Sequence, residues 1–277
     1  MPRARPPTKV GPLIDVHTHP LFPGEAPIRG SSHTVDDYLR VSQGLDIRFA
    51  AAFVMAPRGD LARTRALNNK VLQLGQDSGG KFFPVCSVHP GDGPEALLEL
   101  DRVARVGARA VKLHPNTQLF DVADPTVAAV VRRATEHHLP VIFDGYSPFD
   151  ANQPGKFVRL AIEVPESRLV LAHAHGAHFP SLMVYDLLAR YPWWRRNVWL
   201  DLSVTAAFLA HGPFAEQFAW ICRKVGVDRL LFGSDYPLDD PKTAVEAILS
   251  YGFSKAELTG ILYRNAAELF GLSTHPT

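Results

Sequence analysis

At 277 residues the chain is long for one ordinary core and suits a single α/β barrel, which takes about 250 residues. Its 46% apolar and 21% charged residues describe a globular protein. A net charge of +1, from 29 basic and 28 acidic side chains, excludes the basic footprint of a nucleic-acid or anionic-membrane binder.

In chain order, the first 12 residues are basic and proline-rich and read as peripheral; no apolar stretch follows that would make them a secretory signal. Short runs rich in Val, Ile, Leu, Phe and Ala then recur at 13–19, 47–55, 82–89, 108–114, 140–145, 168–175, 198–204 and 229–235, as in strands buried on both faces. Helical periodicity fills the intervals at 34–43, 60–76, 94–106, 125–138, 154–163, 180–191 and 213–225, and continues at 241–250 and 254–271. Thr34 with Asp37, Pro94 with Glu95, and Asp124 before Pro125 are helix starts. Gly107 and Gly226 stand where helices end. Strand alternating with helix eight times, about 35 residues per unit, predicts one (β/α)₈ TIM barrel over residues 13–277. A doubly wound sheet would place a glycine-rich phosphate turn after the first strand, where this chain has His17-Thr-His-Pro20.

Cys86 and Cys222 are too few for a disulfide framework and read as buried free thiols of a reducing compartment. No apolar run reaches the roughly 18 residues of a membrane span. A cytoplasmic protein is expected, with a small-molecule substrate and no nucleic-acid or membrane partner; a homodimer is one option for its assembly.

In such barrels the chemistry sits at the C-terminal ends of the strands. His17 and His19 share one face of the first strand, because side chains alternate with period two. Asp15 falls on that face below them, as a supporting acceptor or a structural plug. His173 and Asp235 end the sixth and eighth strand runs. Imidazole and carboxylate are the ligands that hold a catalytic divalent metal with an open position. Lys112 and His114 share a face of the fourth strand, which puts His114 near the pocket as a substrate-binding candidate, and His89, ending the third, has similar status. His175 lies on the His173 face as a pocket-lining, substrate-binding candidate, and His178 opens the next helix, as a cap or a substrate contact. Arg29, on the long loop 20–33, together with Arg58 and Lys112 suggests a carboxylate-bearing substrate. His137 and His138, near a helix C-terminus, read as solvated cations. Residues 191–196 fall on the opposite face and read as packing or interface.

The stretches Ile14-Asp-Val-His-Thr-His19, Val111-Lys-Leu-His-Pro115, Leu169-Val-Leu-Ala-His173, Val198-Trp-Leu-Asp-Leu202, Leu231-Phe-Gly-Ser-Asp-Tyr-Pro237 and Tyr263-Arg-Asn-Ala-Ala267 resemble the amidohydrolase superfamily. Within it they resemble the amidohydrolase-related branch that includes the aminocarboxymuconate-semialdehyde decarboxylases. The resemblance runs from residue 13 to about residue 272 and implies one divalent ion, Zn²⁺ first and Mn²⁺ second. It makes His17 and His19 metal ligands, Asp235 a ligand or the handler of a water proton, and His173 a ligand or a polarising group. Relatives carry histidine at the end of strand five, where this chain has Asp144; a carboxylate can ligate the same ions, or it can serve only to hydrogen-bond a neighbour. Lys112 is then either a carboxylated bridge between two metals or a cation pairing Asp144 or the substrate. The expected activity is metal-dependent hydrolysis of a C–N or C–O bond, with Asp235 taking the water proton and His173 or Lys112 steadying the oxyanion. The alternatives are non-oxidative decarboxylation of an aromatic or unsaturated acid, a metal-free lactonase, and a non-catalytic binding barrel.

Overall fold

The computed structural model of the protein describes residues 10–30 and 32–272. Eight strands form one parallel sheet in sequence order: β1 Leu13–Asp15, β2 Ile47–Phe53, β3 Phe82–Ser87, β4 Ala110–Leu113, β5 Val141–Asp144, β6 Leu169–Ala172, β7 Val198–Asp201 and β8 Leu230–Leu231. Backbone bonds beyond the short ends of β1 and β8 bring the two edges together: Val16 N–H donates to Phe232 O (3.0 Å), Asp235 N–H to His17 O (2.8 Å) and His19 N–H to Tyr236 O (2.8 Å). The TIM-barrel expectation is met.

Two apolar layers follow from the alternation of side chains along the strands. Ile14, Val16, Phe83, Val85, Ile142 and Val170 belong to the inner layer, with Phe270 of the C-terminal helix Asn265–Phe270 packed at a tilt against Phe83, ring centres 5.2 Å apart. The outer layer joins the sheet to helices such as Leu61–Asp77 and Pro125–Glu136. The expected helix starts at Thr34 and Asp124 are present. Thr34 and Asp37 form a reciprocal capping box, and Asp124 accepts from Thr126 N–H. Cys86 and Cys222 are buried free thiols. No helix among the described residues is long and apolar enough to cross a membrane.

Several expected elements end early or break: β1 stops at Asp15, β7 at Asp201 and β8 at Leu231, short of the runs 13–19, 198–204 and 229–235. β6 stops at Ala172, and His173, Ala174 and His175 adopt positive φ of 63°, 40° and 62°. The helix expected over 180–191 is regular only over Met183–Leu188. The last helix is interrupted by a π turn at Gly260–Arg264.

Asp15 is the plug rather than a support for the His17 ring. It is fully buried and accepts from Ser234 Oγ (2.6 Å), Ser234 N–H (2.9 Å), Tyr38 Oη (3.0 Å) and His17 N–H (3.2 Å). Tyr38 belongs to the outer layer, so alternation does not carry from Asp15 to His17, because β1 ends at Asp15. Burial raises the Asp15 carboxyl to about 7 against those hydrogen bonds. Asp15→Ala strands four donors at the barrel seam. An expected loss of about 3–5 kcal/mol, read by chemical denaturation, follows from the cost of orphaned buried polar groups.

Candidate active site

His17, His19 and Asp235 meet at the C-terminal mouth of the barrel, their ligand atoms all within 4.8 Å of one another. His17 Nε2 lies 3.1 Å from His19 Nε2 and 3.1 Å from Asp235 Oδ1, and His19 Nε2 is 3.3 Å from the same oxygen. His17 and Asp235 are buried, and His19 is partly exposed. The Phe53 ring underlies both imidazoles, at 4.8 Å and 5.3 Å.

Burial holds the His17 imidazole well below its ordinary pKa, and the nearby Lys112 charge adds to this. Burial works to raise Asp235, but His17, His19 and His173 outweigh it and keep its carboxyl far down. A neutral imidazole and a carboxylate, with lone pairs turned toward one point, are the donor set a divalent cation requires. The residues present therefore fit a metal: His17, His19 and Asp235 are a group that could hold one.

Asp201, at the end of β7, was not singled out in the sequence. Fully buried, its Oδ2 lies 2.6 Å from His17 Nδ1. Gly233 makes this approach feasible: a Cβ there would strike Asp201 Oδ1 and come within 2.8 Å of His17 Cβ. Gly233→Ala is expected to push the two apart and lower metal affinity by about 10–100-fold, the range for losing a ligand's supporting partner. Metal titration with circular dichroism of the folded variant checks this.

His173 stands beside the trio, its ring 5.1 Å from that of His17. Its Nε2 faces Asp144 Oδ2 at 3.7 Å and its Nδ1 faces the Ser203 carbonyl at 3.3 Å. Burial opposes its charge, but the carboxylates of Asp144, Asp235 and Asp201 outweigh burial and push its pKa up to about 9.

Asp144 lies outside the trio. It accepts from His114 Nε2 (3.1 Å) and from Tyr146 N–H (3.2 Å). Burial works to raise its carboxyl, but His173, His114 and Lys112 hold it well below the usual range. Burial lowers the His114 ring to about 4, and its Nδ1 accepts from Thr117 N–H. Lys112 is 1% exposed, with Nζ 4.9 Å from the Phe53 ring centre; burial lowers its pKa against the pull of Asp144, Asp235 and Asp201.

The other histidines part from expectation. His175 does not line a pocket: β6 ends before it, and its ring is buried against Phe157 and Tyr185, with Nδ1 bonded to Ser181 Oγ at 2.8 Å. His89 is spent on structure, bonding Gln118 O (2.7 Å) and Gly91 N–H (2.9 Å). His178 packs 5.7 Å from Tyr146. His137 is not simply solvated, since its Nε2 bonds Asp101 at 2.7 Å. Arg29 lies in a short turn, Ile28–Gly30, and its side chain is outside the described residues.

A cavity of 570 Å³ opens beside the trio. His19 and Phe53 form its inner end, Met55 and Leu119 its apolar walls, and Arg58 and Arg63 its cationic side. Of the trio only His19 lines it; Lys112, His114, Asp144 and His173 do not, and Glu25 adds one carboxylate to the lining.

The sequence profile of the family described as Amidohydrolase matches residues 14–272. The chain belongs to the amidohydrolase family. No curated protein matches it. Among solved structures, a putative amidohydrolase from Staphylococcus aureus superimposes with a TM-score of 0.73 at 13% identity, covering 94% of this chain and 100% of that one. The 5-carboxyvanillate decarboxylase LigW from Sphingomonas paucimobilis gives 0.72 at 14%, covering 94% and 99%. A dihydroxybenzoic acid decarboxylase from Polaromonas sp. JS666, with bound manganese and the inhibitor 2-nitroresorcinol, gives 0.70 at 16%, covering 94% and 96%. At these identities the likeness establishes the fold.

Proposed function

We propose that this amidohydrolase is a metal-dependent non-oxidative decarboxylase of a small aromatic or unsaturated acid. The observation that carries the reading is the 570 Å³ cavity, which runs from His19 and Phe53 along apolar walls to Arg58 and Arg63. A flat apolar body with an anionic group suits that lining. The reading is supported by the two decarboxylases of the same fold, and it takes precedence over the hydrolysis expected from sequence.

His17, His19 and Asp235 would hold the ion, which would supply Lewis acidity at the mouth of the cavity. Phe53 and the apolar walls orient the substrate and thin the water around it. The bond between ring carbon and carboxylate breaks, its electron pair stays on the carbon, and CO₂ leaves. A proton then closes the carbon's valence. His173 Nε2 is the donor, because both nitrogens of that ring face acceptors and the ring holds two protons. The manganese in the Polaromonas structure puts Mn²⁺ ahead of Zn²⁺ as the first ion to test.

The test incubates Mn²⁺-loaded protein with ortho-hydroxylated benzoates and unsaturated acids, in parallel with amides, esters and lactones. The expected result is CO₂ release with one solvent deuterium at the former carboxyl carbon in ²H₂O. Product carrying ¹⁸O from labelled water without CO₂ release overturns the proposal in favour of hydrolysis, and turnover of lactones by metal-stripped protein does so in favour of the lactonase.

A further inference from the structure

We propose that Asp201 and Ser203, at the C-terminal end of β7, are positioning residues that fix the protons of His17 and His173 as one unit. The metal-affinity part of this inference rests on the reading of His17 as a ligand; the part concerning proton positions does not.

The bonds around Ser203 include two longer contacts, Oγ to His17 Nδ1 at 3.3 Å and the Ser203 carbonyl to His173 Nδ1 at 3.3 Å, beside the shorter set that orders the protons. Asp201 Oδ1 accepts from Ser203 N–H at 2.9 Å. Its Oδ2 receives Ser203 Oγ–H at 2.9 Å and His17 Nδ1 at 2.6 Å. Burial raises the Asp201 carboxyl against the opposing pull of His173, Ser203 and Lys112. As the carboxylate, receiving both Ser203 protons, it has nothing to donate, so His17 carries its proton on Nδ1 and turns Nε2 toward His19 and Asp235. The single Ser203 hydroxyl proton is committed to Asp201. Its lone pair therefore accepts from His173 Nδ1, 3.2 Å away. One chain of bonds runs from His173 through Ser203 and Asp201 to His17.

The backbone holds the hydroxyl in place. Thr205 N–H donates to Ser203 O at 2.6 Å across Val204, whose φ of 60° and ψ of −57° make a strained three-residue turn rare for a β-branched residue. Thr205 Oγ1 in turn donates to the His173 carbonyl at 2.6 Å. The turn thus ties Ser203 to the chain at His173 as well as to its ring. Nothing in this network needs Ser203 to touch substrate.

Asp201→Asn is the discriminating variant, because it keeps size and shape. Ser203 N–H retains the amide oxygen at the Oδ1 position, which places the amide nitrogen opposite His17 Nδ1. That nitrogen donates, so the His17 proton must move to Nε2, the misplacement seen when a catalytic histidine's aspartate becomes asparagine. Ser203→Ala leaves Asp201 on His17 but removes the hydroxyl partner of His173.

The experiment records the ¹⁵N resonances of the histidine rings in metal-free protein, together with Mn²⁺ affinity by electron paramagnetic resonance. For Asp201→Asn the expected result is a His17 ring switched from the Nδ1–H to the Nε2–H form, with Mn²⁺ affinity lowered by about 10–100-fold. For Ser203→Ala the His17 form is unchanged and affinity stays within about threefold, well short of the loss for a missing ligand support, while the His173 resonances shift. A His17 ring that keeps Nδ1–H in Asp201→Asn overturns the inference, as does unaltered His173 in Ser203→Ala. Should the unaltered protein bind no Mn²⁺, the ligand reading of His17 falls, and the ring resonances alone still decide whether the two residues set its protons.

Discussion

Replacing His17 and His19 together by alanine abolishes stoichiometric Mn²⁺ binding and leaves the barrel folded. The trio has only one other member, Asp235, and a single carboxylate oxygen does not hold a divalent ion against water. The variant loses the 2.6 Å contact between His17 Nδ1 and Asp201 and leaves that fully buried carboxylate without its imidazole. Such a loss costs about 3–5 kcal/mol. Ser203 N–H and Oγ–H still satisfy Asp201 in part, which puts the cost at the lower end, within the 5–15 kcal/mol by which domains are typically stable. Unaltered protein at 100 times its dissociation constant of Mn²⁺ gains about 2.7 kcal/mol of stability by linkage, and the double variant gains none. Elemental analysis and thermal melts with and without Mn²⁺ give the two readings. One equivalent of metal retained by the double variant would place the site elsewhere.

The barrel was legible in the sequence because strands buried on both faces leave apolar runs of fixed spacing, and the trio was legible because its members end those runs. Two things were not. Period-two alternation, carried past the real strand ends, places Asp15 under the His17 ring and His175 in the pocket. In the structure β1 stops at Asp15, and the chain after β6 turns left-handed at His173, so period two no longer governs either segment. Asp201 carried the same signal as Asp235, a carboxylate closing an apolar run, in Val198-Trp-Leu-Asp201. What hid it is that a supporting residue is recognised by the ring it touches, and that ring lies 184 residues away in the chain. Arg63 was missed for a plainer reason: it sits in the first turn of the helix Leu61–Asp77 and reaches the cavity only because the loop after β2 packs beside His19.

Asp144→Ala is expected to keep Mn²⁺ affinity and lose turnover. The sequence weighed Asp144 as a ligand standing in for the histidine of relatives, or as the partner of Lys112. The geometry favours a third role. Asp144 is not among the converging ligand atoms, and no ion pair joins it to Lys112 among the described residues. Its Oδ2 instead lies between His114 Nε2 at 3.1 Å and His173 Nε2 at 3.7 Å. In that position it holds the proton that His173 delivers in the proposed reaction. Removing it should cost about 10²–10⁴-fold in kcat, the worth of a positioned proton donor. Burial pulls the His173 pKa down, and Asp144 heads the groups that carry it up to about 9 instead. A raised histidine pKa means the acid form persists up to that pH. Without Asp144 the proton leaves at lower pH, and the alkaline limb of the kcat profile moves downward. Adding His173→Ala to Asp144→Ala should lower turnover little further, as for two members of one unit. A fall in Mn²⁺ affinity of about 10–100-fold or more in Asp144→Ala alone would instead make it a ligand, and His173 would lose its role as the proton donor held by that carboxylate.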